Sequence, residues 1–283
     1  MEIVCLEGVT LHLAHPDELN LSWVGQEELM AQILAAWLVV DDQDLPLNPR
    51  LLGKPGVGKT TLAYAAGRRL GRSVYLFQAT VDTRPEDLLI TPVISEAGRI
   101  QYVASAVVTA MIQGGVAVVD EANRMSEKSW ASLAPLLDNR RYVESIVAGV
   151  KITAHPDFRL CVTMNDDAST FEVPEYIHSR LMPQIVVDFP EQDEERRILA
   201  QNLPFAPEVI LDYVVNFLQE AHGAHERYTV RDGINIARYA LKLAACREGK
   251  GHRIPVLTPP RLREVLVQAV RQILGEEAVD YLP

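Results

Sequence analysis

The 283-residue chain predicts an α/β fold: a five-stranded parallel sheet sandwiched between helices, with β-hairpin inserts and an all-helical C-terminal subdomain. Three observations carry that expectation. Between Pro49 and Pro190 the apolar runs are short, rich in Val and Ile, and separated by helical stretches, the rhythm of a parallel sheet covered on both faces. One strand-to-helix junction, "LLGKPGVGKTTLAYAAG" (51–67), is bracketed by glycines and ends in Lys-Thr-Thr. Beyond Pro190 the strand-like runs stop, and apolar residues recur at three- and four-residue spacing.

In chain order, the five strands are "RLL" before the glycine turn, "SVYLF" (73–77), "VAVV" (116–119), "RLCVTM" (159–164) and "QIVVDF" (184–189). Two further segments alternate around turn residues and predict hairpins: "PVISEAGRIQYV", turning near Gly98, and "RYVESIVAGVKIT", turning at Ala148-Gly149. The helical segments are "QDEERRILAQN", "PEVILDYVVNFLQEAHG", "VRDGINIARYALKLAAC" and "PPRLREVLVQAVRQILG". Residues 1–190 therefore form the α/β domain and residues 191–283 the helical one.

Composition narrows the classes of partner. At 48% hydrophobic the chain is long enough for a large core. A formal charge of −11, from 27 basic against 38 acidic residues, repels a polyanion and disfavours nonspecific nucleic-acid binding. Cys5, Cys161 and Cys246 are far apart and form no CxxC, which argues against a zinc module or disulfide framework. The N-terminus has no basic leader, and the apolar run "ILAAWLVV" (33–40) is too short to span a bilayer. These features predict a soluble, cytoplasmic protein. Four of its seven histidines, His12 with His15 and His222 with His225, read as exposed strand and helix-end residues rather than metal pairs.

Chemistry concentrates at three strand ends. Gly53, Gly58, Lys59 and Thr60 fit GxxxxGK[ST] with a strand before and a helix after, the P-loop of a nucleoside-triphosphate-binding fold. The glycines let backbone N–H groups curl around a phosphate and the helix start adds its positive dipole end. Lys59 reaches the outer phosphates, and the Thr60 hydroxyl is a ligand for Mg²⁺. Next, "GGVAVVDEANR" (114–124) delivers two carboxylates to the sheet edge where ligands bind. Asp120 is suited to hold the Mg²⁺ shell and Glu121 to polarise an attacking water. A kinase needs an acceptor pocket; an Asp-Glu pair at this position points to hydrolysis. A third strand ends in "CVTMN", placing Asn165 where a polar side chain can sense the terminal phosphate.

The ordered segments "WVGQEELMAQIL", "LLGKPGVGKTTLA", "GGVAVVDEANR", "AHPDFRLCVTMN", "VPEYIHSRLMPQIVVDFP" and "YTVRDGINIARYAL" resemble those of AAA+ ATPases, in particular the MoxR and dynein-related branch. The resemblance implies Mg²⁺-dependent ATP hydrolysis, with Val24 and Gly25 against the base. Pro55, Gly56, Val57, Gly58, Lys59, Thr60 and Thr61 form the phosphate cradle, Asp120 and Glu121 the Walker B pair, and Asn165 sensor 1. Arg180, in "HSRL", matches the arginine finger that enters a neighbouring subunit's site. Arg231, in "YTVRDG", matches sensor 2. The resemblance further implies a ring-forming homo-oligomer, typically a hexamer, that remodels or activates a protein client, often one with a von Willebrand A domain. The hairpin inserts project toward the pore or a substrate in relatives. Lys54 departs from the family's usual cradle residue at a position expected to point outward. The alternative is a nucleotide-dependent DNA-associated machine, such as a restriction-type translocase subunit, which the acidic balance disfavours.

Overall fold

The computed structural model describes residues 2–19, 23–95, 98–166, 172–247 and 258–283. They divide into two units: Met1–Trp23, Glu27–Gly53 and Gly58–Val187 in the first, and Val24–Gln26, Lys54–Val57 and Asp188–Pro283 in the second.

The first unit opens with β1 (Ile3–Leu6), β2 (Val9–His12), α1 (Glu27–Trp37), β3 (Arg50–Gly53), α2 (Lys59–Arg69) and β4 (Val74–Gln78). It continues with α3 (Pro85–Leu88), β5 (Ile90–Ile94), β6 (Ile100–Ala104), α4 (Ala106–Gln113), β7 (Val116–Asp120) and α5 (Glu127–Leu133). Then follow β8 (Tyr142–Ser145), β9 (Val150–Thr153), β10 (Arg159–Asn165), α6 (Glu175–His178) and β11 (Gln184–Val186).

The five expected strands form one sheet, in the order β11-β3-β10-β7-β4, with every neighbouring pair parallel. Burial explains their composition: all seven residues of β10 are buried, as are the first four of β7. A strand covered on both faces has no polar side to show, so its residues read as a continuous apolar run. Leu51, Val118, Val119 and Leu160 are at most 1% exposed, and each such side chain contributes roughly 1.5–3 kcal/mol relative to exposure. Trp37 is equally buried and satisfies its one polar atom by donating Nε1–H to the Leu160 carbonyl at 3.0 Å. The last strand is shorter than expected and stops at Val186. Val187 still donates to the Leu52 carbonyl at 2.7 Å, but from Asp188 the chain belongs to the second unit, and Phe189 stacks on His222 at 3.9 Å.

Both expected hairpins form, β5 with β6 and β8 with β9. A third, β1 with β2, turns at Glu7-Gly8, both at positive φ (49 and 85), as a two-residue turn matched to the strand twist requires. Parallel pairing of β2 with β6 joins the two hairpins into a four-stranded sheet, β1-β2-β6-β5.

The second unit carries α7 (Gln192–Asn202), α8 (Glu208–Gly223), α9 (Val230–Arg247) and α10 (Pro259–Leu274). Proline in the first turn starts α10, where its missing N–H costs nothing. Leu199, Phe217, Ile236, Val265 and Leu266 are fully buried in its core. Among the described residues, no helix is long and apolar enough to cross a membrane.

Candidate active site

Parallel register aligns the carboxyl ends of four strands in the first unit. Asn165 of β10 lies opposite Gly53 of β3, Val162 opposite Val119 of β7, and Asp120 opposite Gln78 of β4. Ligands of open α/β sheets bind at this edge. Between β3 and α2 the chain passes through Gly58, left-handed at φ 97, before helical hydrogen bonding begins at Lys59. The first N–H groups of α2 have no partner within the helix, and its dipole favours an anion there. Lys59 is buried (5% exposed) and donates Nζ–H to the Gly53 carbonyl at 2.8 Å.

Around Asp120 the side chains form one connected network. Its Oδ1 accepts a hydrogen bond from Thr60 Oγ1 at 2.7 Å and a short one from Thr163 Oγ1. Thr163 Oγ1 in turn accepts the Glu121 backbone N–H at 3.0 Å. Glu121 holds φ 53, a left-handed conformation uncommon for a residue with a side chain and concentrated at functional sites. Its carboxylate accepts from Asn165 Nδ2 at 3.3 Å and pairs with Arg124 at 2.5 Å. Asn165 is held in turn: the buried Asn123 donates to its carbonyl at 2.8 Å and accepts its N–H at 3.3 Å. The network keeps two carboxylates, two amides and a guanidinium in fixed relation, and with the Lys59 ammonium held at Gly53 this is a set that can grip a phosphate chain and activate water.

The donors fit Mg²⁺. Thr60 hydroxyl and Asp120 carboxylate oxygens are hard ligands side by side, and Mg²⁺ commonly takes one or two protein oxygens with water and phosphate completing its octahedron. No group of three or more His, Cys, Asp or Glu among the described residues is placed to hold a metal unaided.

Lys59, Thr60, Asp120, Glu121 and Asn165 are thus brought together, with Thr61 half-buried in the first turn of α2. Arg180, just past α6, bonds elsewhere: its Nε lies 3.4 Å from Asp138 Oδ2, and its guanidinium donates to the Tyr176 carbonyl and lies 5.7 Å from the Tyr176 ring centre. In the second unit, Val24, Gly25 and Gly56 are half-buried, Val57 is buried and Pro55 exposed. Arg231 is exposed in the first turn of α9.

Four residues escape the sequence reading: Thr163, Asn123, Arg124 and Asp138. Strand alternation puts Thr163 on the face of Asn165, two positions on, but that alternation does not distinguish it from a threonine favoured only by β-propensity. Two expectations are corrected. Lys54 does not simply point outward, since its Nζ lies 4.4 Å from the Phe189 ring centre, an attraction of cation to ring face. His222 is not an exposed helix-end residue. It is half-buried, stacks on Phe189, makes a 2.7 Å hydrogen bond with the Tyr228 carbonyl, and burial lowers its pKa.

The model of the AAA domain, dynein-related subfamily, matches residues 50–181. Residues 50–181 thus form an AAA domain of the dynein-related subfamily. It is similar to protein MoxR of Paracoccus denitrificans, 32% identical over 152 residues that cover 53% of this chain and 44% of MoxR. It is also similar to the mouse von Willebrand factor A domain-containing protein 8, 26% identical over 262 residues, 83% of this chain and 13% of that protein. Among solved structures, the Thermotoga maritima RuvB Holliday junction branch migration motor superposes with a TM-score of 0.57 at 17% identity, covering 88% of this chain and 70% of RuvB. That last likeness is one of fold.

Proposed function

We propose that this chain binds Mg-ATP and hydrolyses it in a ring of identical subunits, a hexamer on the family's pattern, to remodel, activate or assemble a protein client. The observation that carries the reading is the network joining Thr60, Asp120, Thr163, Glu121 and Asn165. Lys59 and the backbone N–H groups at the start of α2 hold the phosphate chain. Thr60 and Asp120 would hold Mg²⁺, which would supply the positive charge that neutralises the phosphate oxygens. Glu121 takes the proton of the attacking water while Asn165 orients the carboxylate. Arg180 of the adjacent copy and Arg231 stabilise charge developing on the transferred phosphoryl oxygens.

The similarity to MoxR and to a mouse protein that carries a von Willebrand A domain supports a client of that domain class, met in the cytoplasm. The DNA-associated alternative gains nothing from a fold likeness alone, and the net charge of −11 opposes it. Glu121→Gln is the test. It keeps nucleotide affinity while turnover falls by about 100-fold, the scale of a lost general base; undiminished turnover overturns the reading. The same variant, loaded with ATP, retains its client for capture.

A further inference from the structure

Two glycine turns in the second unit are each filled by a side chain from the start of a helix. At Val24–Gln26 the backbone passes through two consecutive left-handed residues, Gly25 (φ 74) and Gln26 (φ 42). Such turns make concavities of N–H groups that suit an anion. The anion here is Glu194, in the first turn of α7: its Oε1 accepts the Gln26 N–H at 2.7 Å. A Cβ on Gly25 would stand 2.5 Å from the same oxygen, so the carboxylate enters only because residue 25 has no side chain.

The phosphate cradle repeats the arrangement. Gly56 (φ 89) faces Thr229, whose Oγ1 would lie 2.7 Å from a Cβ added there. Thr229 is 5% exposed and immediately precedes α9. Its Oγ1 and its N–H both donate to Asp232 Oδ2 at 2.8 Å, which fixes the threonine rotamer against the glycine.

We propose that Glu194 and Thr229 are positioning residues for the nucleotide: Glu194 sets the turn that meets the base, and Thr229, fixed by Asp232, sets the curvature of the phosphate cradle. The proposal rests on the nucleotide reading above, because the two turns matter together only if one ligand contacts both. It gives the helical unit a direct influence on nucleotide affinity through side chains that need not touch the nucleotide.

The test measures binding of a fluorescent ATP analogue to the full chain in a Glu121→Gln background, where turnover does not interfere. Glu194→Ala and Thr229→Val each weaken binding about tenfold, one lost charged or buried hydrogen bond, and Thr229→Ser restores it. Melting temperature without nucleotide stays within about 1 °C of the parent, less than a 1 kcal/mol fold defect produces in a chain of this length. Should Glu194→Ala fail to fold, Gly25→Ala, which expels the carboxylate from the other side, carries the same expectation. Unchanged affinity in folded variants overturns the proposal. Lys59→Ala separates it from its premise: if that variant also binds normally, the nucleotide reading itself fails, whereas loss of binding in Lys59→Ala alone removes only the positioning role.

Discussion

Thr163 shows how much of this site depends on a residue that no motif marks. Its hydroxyl does two jobs, donating to Asp120 and accepting the Glu121 N–H, so it fixes both members of the acidic pair. Thr163→Val keeps shape but leaves an acceptor short of a partner and a backbone donor unsatisfied. Leaving such groups unpaired costs about 1–3 kcal/mol. The expected result is a turnover number lowered roughly tenfold or more with nucleotide affinity little changed, read from steady-state ATPase rates and a binding titration. Turnover within twofold of the parent assigns Thr163 to packing alone. Lys59, Thr60, Asp120 and Glu121 were legible in the sequence because phosphate chemistry demands those residue types at fixed positions relative to a strand end. Thr163 was not, because a threonine inside an apolar strand also satisfies plain β-propensity, and only the neighbouring strand reveals what its hydroxyl meets. Lys54 and His222 were misjudged for the same reason: the sequence does not show that Phe189 lies against both.

Among the elements, the helices α7 and α8 carry an unusual contact. Glu195 is fully buried on α7, with Oε2 accepting from Gln219 Nε2 of α8 at 2.9 Å and Oε1 without a partner. Burial pushes its pKa up to about 7, opposed only by the Gln219 hydrogen bond. Below its unfolded pKa the group is protonated in both states and has no effect. Between there and about 7 the folded chain holds a proton that the unfolded chain has released, so stability falls as pH rises and levels off above the folded pKa. The whole penalty is on the order of 3 kcal/mol. Glu195→Gln should therefore raise the denaturation midpoint at pH 8 and leave it nearly unchanged at pH 4, measured by urea melts; equal effects at both pH values exclude titration as the cause. At this scale the sequence was most informative where contacts are local. The four C-terminal helices and the hairpins β5–β6 and β8–β9 follow from periodicity and turn residues. The β1–β2 hairpin is local too, but its strands of four residues each are too short to show a clear alternation, and the pairing of β2 with β6, some ninety residues away, leaves no trace in short-range patterns.

For the molecule as a whole, the open question is what Arg180 serves. Within its own chain its Nε and one terminal nitrogen are already engaged, with Asp138 on one side and the Tyr176 carbonyl on the other. Asp138 is shared: Arg140 donates to it at 3.0 and 2.8 Å, and Arg140 above all, with Arg180, holds the Asp138 carboxyl down at about 2. A carboxylate so occupied grips Arg180 only weakly, and the pair is partly exposed to solvent, where such contacts contribute little. On the proposed ring, the multiply charged phosphates bound by an adjoining subunit would offer the guanidinium a stronger partner. In a ring built by a repeating head-to-tail interface, each active centre then needs Lys59 from one subunit and Arg180 from the next. Lys59→Ala and Arg180→Ala proteins are each expected to be inactive alone. Mixed in equal amounts and allowed to exchange, they restore a centre wherever an Arg180→Ala subunit receives its finger from a Lys59→Ala neighbour. Random placement does this at about one junction in four, so the mixture should recover roughly a quarter of the parental ATPase rate if the finger acts in trans. No recovery above the separate variants places Arg180 in its own subunit's chemistry, or outside the chemistry altogether, and removes the requirement for a ring.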